Sequence, residues 1–214
     1  MPNRSAEQCV FLLVETTRAR WRQGLDTWIL FIDFWKAYDK VSPTALWGIL
    51  HKIGFPAQII AYMQYSYETR ATHFSFNGRV VDVFEQVLGL CQGGVLSCIL
   101  FNLFIESLSR YLESESQKGK LKGVSVTTPS GVFTLLHALF ADDMSAFAES
   151  RGALAALAEA VDKWCTGHGL TLNVTGLDKT MAMHMSLDRA APPEAPLRVK
   201  RSPTDQARTS SSPS

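Results

Sequence analysis

Asp142 and Asp143 are adjacent carboxylates between two apolar runs, residues 133–140 and 144–148. Successive side chains of a strand point to opposite faces, so the two acids can serve one site only where the chain turns. The pattern therefore predicts a tight hairpin with the acids at its tip. Two interpretations stay open, because Asp-Asp is common turn chemistry and clustered acids beside a core are also oxygen ligands suited to Mg²⁺.

A third acid, Asp33, lies near the end of another apolar run, residues 28–34. This run is apolar at consecutive positions, which is typical of a central strand covered on both faces. A glycine-rich loop, residues 88–94, then leads into a long apolar helix. Acids that end two different strands can meet at one edge of a sheet, so these features predict the position of a site.

Helices and hairpins must hold these residues in place. Residues 7–22 predict an amphipathic helix with Val10, Leu13, Val14 and Trp21 as its apolar positions. Ser42 before Pro43 predicts a helix start, and Asn77 before Gly78 predicts a β-hairpin. The predicted apolar faces of the remaining helices are Leu46, Ile49, Leu50 and Ile53; Ile59, Ile60, Met63 and Tyr67; Ile99, Leu100, Leu103, Phe104, Leu108 and Tyr111; and Leu154, Leu157, Val161 and Trp164.

The segments between and after these elements are also predicted from composition. Residues 113–122 are interpreted as a polar linker, and residues 170–185 as two short strands around a turn at Gly176. From Ser186 onward Ala, Pro, Arg and Ser dominate, which predicts a disordered tail over residues 186–214.

Composition narrows the class of protein. The chain has 214 residues, of which 46% are hydrophobic, so a substantial core is expected. The four cysteines show no metal-ligand spacing, no apolar segment is long enough to span a bilayer, and an intracellular protein is expected. A net charge of +1 lacks the basic excess usual for an independent nucleic-acid-binding protein.

Four segments together resemble the reverse transcriptases of LINE-type (non-LTR) retrotransposons. The first resembles the family motif Asp followed by Lys-Ala-Phe-Asp-x-Val, and the second its Gly-x-Pro-Gln-Gly-Ser-x-Leu-Ser-Pro loop. The third matches the Phe-Ala-Asp-Asp box, and the fourth resembles Leu-x-Leu-Asn followed by Lys-Thr. In this chain they are Phe31-Ile32-Asp33-Phe34-Trp35-Lys36-Ala37-Tyr38-Asp39-Lys40-Val41, residues 89–102, Phe140-Ala141-Asp142-Asp143, and residues 169–173 with Lys179-Thr180.

The resemblance implies an α+β polymerase palm, an antiparallel sheet backed by helices, with partial fingers and no thumb. It implies a reverse transcriptase domain over residues 1–185 that transfers deoxynucleotides to a primer 3′-OH. The expected partners are an RNA template, a DNA primer and dNTPs, and the expected cofactor is Mg²⁺, with Mn²⁺ as a substitute. Asp33, Asp142 and Asp143 are implied as the catalytic metal ligands, since two bound metals stabilise both oxygens of an in-line displacement.

Five further residues are implied to contact the nucleotide. The backbone of Phe34 is placed beside a metal, and Tyr38 under the sugar, where it excludes a 2′-hydroxyl. Gln92 and Gly93 are placed along the nucleotide and template, and Lys179 beside the pyrophosphate. Tyr38 also fits a core aromatic, and Lys179 a solvated charge.

The chain departs from the family pattern at Cys91, Gly94 and Cys98, where the family has Pro, Ser and Pro. The basic fingers and the thumb of the family are not recognisable, so flanking sequence is expected to supply them. The alternative function is a catalytically inactive, truncated remnant of a retroelement, or a module for RNA binding or protein interaction.

Overall fold

The computed structural model describes residues 6–68, 71–77, 79–85, 89–91, 93–128, 131–174 and 179–186. The helices along these residues are α1 (Ala6–Arg22), α2 (Pro43–Lys52), α3 (Ala57–Glu68), α4 (Val95–Gln117) and α5 (Arg151–His168). The strands are β1 (Thr27–Ile32), β2 (Ala71–Phe76), β3 (Arg79–Glu85), β4 (Val124–Thr128), β5 (Gly131–Leu135), β6 (His137–Phe140), β7 (Asp143–Ala148) and β8 (Met181–Met185). Among the described residues, no helix is both long enough and apolar enough to cross a membrane.

The chain divides into two compact units. The first unit contains the described residues up to Trp35 and from Leu108 on, and the second unit contains those from Lys36 to Ser107. The first unit holds an antiparallel sheet in the order β6-β7-β1-β8 and the separate pair β4-β5, whereas the pair β2-β3 belongs to the second unit. The predicted α+β architecture with an antiparallel sheet is confirmed.

β1 is a central strand, as its composition predicts. It pairs with β7 on one side and with β8 on the other, and Ile29 and Leu30 are fully buried. One face packs in a core cluster with β4, β6 and β7, and half-buried Leu12 and Leu13 of α1 complete it. On α5, which contacts β1 and β7, the predicted face of Leu154, Leu157, Val161 and Trp164 is buried. Because packed side chains cover both faces of β1, its sequence does not alternate between apolar and polar residues.

The capping and turn signals in the second unit are confirmed. Ser42 caps α2 by accepting a hydrogen bond from the Ala45 amide, and Pro43 is the first helical residue. β2 and β3 form the predicted hairpin, with Phe76 paired to Arg79. Gly78 lies outside the described residues.

Some predicted helix faces are wrong. Val10 and Trp21 are 61% and 54% exposed, while Thr17 and Arg20 of the same helix are buried. Ile59 and Ile99, predicted to face inward, are 47% and 52% exposed. Hydrophobic periodicity predicted that these segments are helices, but tertiary contacts select the buried face.

Three predicted segment boundaries are also wrong. The apolar run 133–140 is two strands divided at Leu136, because β5 pairs with β4 and β6 pairs with β7. The predicted linker begins too early, since α4 continues to Gln117. In the last segment Leu172 forms only an isolated bridge with Phe34, and β8 is the one regular strand described there. Gly176 and the tail after Ser186 lie outside the described residues.

Candidate functional site

The register of the sheet brings Asp33 to the hairpin that carries the other two acids. Ile32 pairs with Met144, and the antiparallel register continued by one residue sets Asp33 opposite Asp143. Phe140 pairs with Asp143, so the predicted hairpin closes through a two-residue turn, Ala141 and Asp142. The three carboxylates thus lie at the same end of the sheet, where β1 ends and the β6–β7 turn leads into β7.

The turn that presents these acids has a strained backbone. Ala141 has φ of 51°, in the left-handed region that residues with a Cβ adopt at a cost. A two-residue hairpin commonly needs positive φ at its first central position. This conformation places Asp142 at the tip and lets Asp143 begin β7.

The acids influence each other electrostatically. The pKa of Asp143 is raised by its partial burial first, and then by the negative charges of Asp142 and Asp33. Because like charges disfavour ionisation, Asp143 is in electrostatic range of both Asp142 and Asp33. A bound cation would relieve this repulsion.

Asp33 is held by two side chains from the end of the first unit. The Asn173 amide Nδ2 donates a hydrogen bond to Oδ2 of Asp33 at 2.8 Å. Lys179 Nζ lies 3.6 Å from the same oxygen, and the Lys179 and Asp33 side chains are 42% and 36% exposed. Asp33 therefore already has an amide donor and a positive charge on one oxygen.

Backbone hydrogen bonds fix the segment that carries these partners. The Asn173 amide N–H donates to the Asp33 carbonyl at 2.8 Å, and the Thr180 amide N–H donates to the Asn173 carbonyl at 3.0 Å. The Asp33 amide N–H donates to Oγ1 of Thr180 at 3.2 Å, and Trp35 donates to the Thr171 carbonyl at 2.9 Å. Asn173 and Lys179 thus reach Asp33 from an anchored backbone.

The donor set fits a hard divalent cation. Mg²⁺ and Mn²⁺ prefer carboxylate oxygens, and the ammonium of Lys179 already occupies a cation position beside Asp33. Over the described ranges, however, no three His, Cys, Asp or Glu side chains are grouped closely enough to hold a metal ion together. The donor chemistry of a metal site is therefore present, but the three acids do not converge.

Tyr38 lies in the second unit, in a 3₁₀ turn formed by Tyr38–Lys40. Its ring stacks on that of buried Phe101, with centroids 4.4 Å apart and an interplanar angle of 16°. The Leu90 amide N–H donates to the Tyr38 carbonyl at 2.8 Å, and the Gly89 amide N–H to the Val41 carbonyl at 3.1 Å. The glycine-rich loop and the turn of Tyr38 are thus joined as one substructure.

Two glycines of this loop serve different purposes. Both Gly89 and Gly93 have positive φ, 86° and 84°. A Cβ on Gly89 would lie 2.6 Å from the Asp39 carbonyl oxygen, whereas a Cβ on Gly93 would have no atom within 4 Å. Gly89 is required for internal packing, and Gly93 leaves open space against which a ligand can approach.

The other predicted site residues divide as follows. Phe34 is buried at 3% exposed and bridges to Leu172 through its backbone. Gln92 lies outside the described residues. Sequence reasoning missed the role of Asn173 and Thr180, which hold Asp33. Their place in the same motif as Lys179 is the signal that could have identified them.

An apolar cavity of about 510 Å³ lies between α1 and β8. Trp21, Leu25, Met183 and Met185 are among the residues that line it, and the three acids are not. The candidate site is therefore the hairpin tip and the end of β1, not this cavity.

Comparison with known families gives a match over most of the chain. Residues 1–205 match the family model described as reverse transcriptase (RNA-dependent DNA polymerase). A 146-residue segment is 34% identical to the retrovirus-related Pol polyprotein from the type-2 retrotransposable element R2DM of Drosophila melanogaster. That segment is 68% of this chain but only 13% of the relative.

Solved structures support the fold. Apo telomerase from Candida tropicalis, truncated from its C-terminal domain, is similar with a TM-score of 0.63 and 13% identity, over 88% of this chain and 37% of that one. Telomerase from the same organism with a fragment of telomeric RNA gives a TM-score of 0.61 and 11% identity, over 88% and 30%. At these identities the likeness concerns the fold alone.

Proposed function

Because the chain belongs to the reverse transcriptase (RNA-dependent DNA polymerase) family, we propose that it carries the catalytic acids of an enzyme that copies RNA into DNA. The observation that carries the proposal is the β1–β7 register, which sets Asp33 opposite Asp143 beside the hairpin tip. We propose that this enzyme is part of a retroelement polyprotein, because a 146-residue segment of the chain is 34% identical to such a protein. The chain spans only 13% of that relative's length. The substrates of this chain are therefore proposed as well.

Asp33, Asp142 and Asp143 are proposed to hold Mg²⁺, or Mn²⁺ in its place. Divalent cations supply charge stabilisation for the attacking 3′-oxygen and the leaving pyrophosphate. The protein's part is positioning: β1 fixes Asp33, the two-residue turn presents Asp142, and Asn173 orients the Asp33 carboxylate. The pKa of Asp143 is raised by its partial burial and then by the charges of Asp142 and Asp33, which supports this role, since perturbed acids are typical of functional sites.

The nucleotide contacts are proposed from the motif match, residue by residue. Tyr38 is proposed to exclude a 2′-hydroxyl, and its half-buried stacking on Phe101 gives it a fixed surface. Gly93 is proposed to lie along the nucleotide, and the open space at its Cβ position supports a close approach. Gln92 and the Phe34 backbone are proposed on the motif alone. Lys179 is proposed to neutralise pyrophosphate, in keeping with its 42% exposed side chain.

The proposed partners are an RNA template, a DNA primer and deoxynucleoside triphosphates. The test is incorporation of deoxynucleotides on an RNA template with a DNA primer, with Mg²⁺ or Mn²⁺ and with chelator. Asp142→Asn should reduce incorporation at least about a hundredfold, because a metal-ligating charge is lost. Glu159→Gln, an exposed position on α5, is the matched control and should retain wild-type incorporation.

The same experiment distinguishes the alternative function. A folded preparation that binds Mn²⁺ through Asp142 but incorporates no nucleotide would identify a polymerase-derived module without activity of its own. Incorporation that is unaffected by Asp142→Asn would exclude this acid from catalysis.

A further inference from the structure

Oδ2 of Asp33 has two partners, and the two differ in kind. Asn173 donates a neutral hydrogen bond at 2.8 Å, a distance at which the bond is well formed. Lys179 Nζ lies at 3.6 Å, within ion-pair range but beyond a good hydrogen bond. The amide is therefore the closer, directional partner, while the ammonium acts mainly through its charge.

The anchoring of the two partners also differs. Asn173 donates its own amide N–H to the Asp33 carbonyl at 2.8 Å, so both its backbone and its side chain are bound to the same residue. Lys179 reaches Asp33 through a long side chain that is 42% exposed. Such a side chain can leave for solvent without disturbing the backbone that Thr180 secures.

The charges around Asp33 favour an exchange of cations. Asp143 lies within electrostatic range of both Asp142 and Asp33, and Lys179 supplies one positive charge beside Asp33. A divalent cation would compensate more of this negative charge than an ammonium does. A metal that binds Oδ2 of Asp33 would compete with the ammonium of Lys179, which lies 3.6 Å from the same oxygen.

We propose that Lys179 is the resident counter-cation of Asp33, which a divalent cation displaces on binding, while Asn173 remains on Oδ2 as the positioning residue. The inference rests on the proposed metal site and adds a resting state to it. In that state the ammonium offsets part of the negative charge at Asp33. After the exchange, Lys179 is released toward solvent and Asp33 keeps its orientation.

The proposal gives Lys179 and Asn173 opposite effects on metal affinity. Removing the charge in Lys179→Met should tighten Mn²⁺ binding roughly tenfold, because the metal no longer competes with or repels an ammonium. Lys179→Arg keeps the charge and should bind Mn²⁺ within about twofold of wild type. Asn173→Ala should weaken binding roughly tenfold, since the Asp33 carboxylate loses its orienting donor.

The experiment is titration of the full 214-residue chain with Mn²⁺, following free Mn²⁺ by electron paramagnetic resonance, so that no turnover is needed. Lys163→Met removes a lysine from the exposed surface of α5 and controls for overall charge. Asn173→Gln keeps an amide and serves as a second variant if Asn173→Ala lowers the melting temperature. Its affinity should lie between those of Asn173→Ala and wild type.

The outcomes separate this inference from the proposed function. Tighter Mn²⁺ binding by Lys179→Met alone among the lysine variants supports the exchange. Binding that Asp142→Asn abolishes but Lys179→Met leaves unchanged or weakens would overturn the exchange and keep the metal site. Unchanged affinity in both Asn173 variants would overturn the positioning role. No Mn²⁺ bound by wild type or by Lys179→Met would overturn the metal site and the inference together.

Discussion

Arg20 is 2% exposed and carries its charge into the interior of the first unit. Its guanidinium donates to Oγ1 of Thr27 at 3.0 Å, to the Ser125 carbonyl at 2.9 Å, to Oε1 of Glu149 at 3.1 Å and to the Asp26 carbonyl at 2.8 Å. A buried charge is tolerated only when it is paired and hydrogen-bonded. One side chain therefore ties α1 to β4 and to the end of the β1–β7 pair at which β1 begins and β7 ends.

Replacing Arg20 should destabilise the fold more than its position on a helix suggests. Arg20→Met keeps much of the apolar stem but leaves buried acceptors without a donor, so we expect the free energy of unfolding to fall by about 3 kcal/mol. Urea denaturation followed by circular dichroism measures this. Arg18→Met, which breaks only the exposed pair with Glu15, should cost under about 1 kcal/mol. Equal losses in the two variants would contradict the role given to Arg20.

At the scale of single residues, the sequence predicts which side chains can do chemistry better than it predicts which residues they contact. Asp33, Asp142 and Asp143 were predicted because each stands beside an apolar strand. The role of Asn173, whose side chain holds Asp33, was not predicted, since Asn173 is 140 residues away along the chain. Such a contact depends on the register between distant segments, which residue types alone do not specify.

At the scale of elements, the type of each helix was predicted but its orientation was not. α1 shows why: Val10 is 61% exposed although it is apolar, and Arg20 is buried although it is charged. Arg20 has four acceptors on one side of the helix, and that side must face the sheet. The hydrogen bonds of Arg20 therefore determine which face of α1 is buried. Hydrophobic periodicity cannot detect such hydrogen bonds.

The end of α4 gives a prediction for pH dependence. Glu115 accepts from Lys118 and Lys120, each at 2.8 Å. These two hydrogen bonds lower the pKa of Glu115 to about 2 from its ordinary 4.5. Because the pKa is depressed in the folded state, the pair contributes stability above pH 4.5, and this is lost as the pH falls toward 2.

Glu115→Gln should therefore lower the melting temperature at pH 7, and the difference from wild type should shrink as the pH is lowered from about 4.5 to about 2. Melting curves over this range measure the difference directly. Glu113→Gln is the control from the same helix, since Glu113 is exposed. A difference that grew on acidification would contradict a stabilising role for the ionised Glu115 carboxylate.

At the scale of the whole molecule, the predicted motifs are distributed over both units, and the first motif, residues 31–41, crosses the boundary after Trp35. Every partner described for Asp33, including Asn173, Lys179 and Thr180, belongs to the first unit. Tyr38 and the glycine-rich loop belong to the second. This division was not predicted, because sequence order interleaves the units: the second is inserted between Trp35 and Leu108 of the first.

A pair of glycine substitutions tests whether the two units respond separately. Gly89→Ala and Gly93→Ala both place a Cβ at positive φ, which costs about 1 kcal/mol each. Only Gly89→Ala also drives a Cβ to 2.6 Å from the Asp39 carbonyl oxygen. Since that contact and the hydrogen bond from Gly89 to Val41 lie within the second unit, Gly89→Ala should lose at least about 2 kcal/mol more unfolding free energy than Gly93→Ala.

Affinity for Mn²⁺ should not follow this loss. All the groups proposed to hold or orient the cation lie in the first unit, so both glycine variants should bind Mn²⁺ within about twofold of wild type at a temperature where they are folded. Chemical denaturation and Mn²⁺ titration of the same preparations give the two quantities. If Gly89→Ala weakened Mn²⁺ binding about as much as Asn173→Ala, the acids would depend on the glycine-rich loop, and the metal site would have to be assigned to both units.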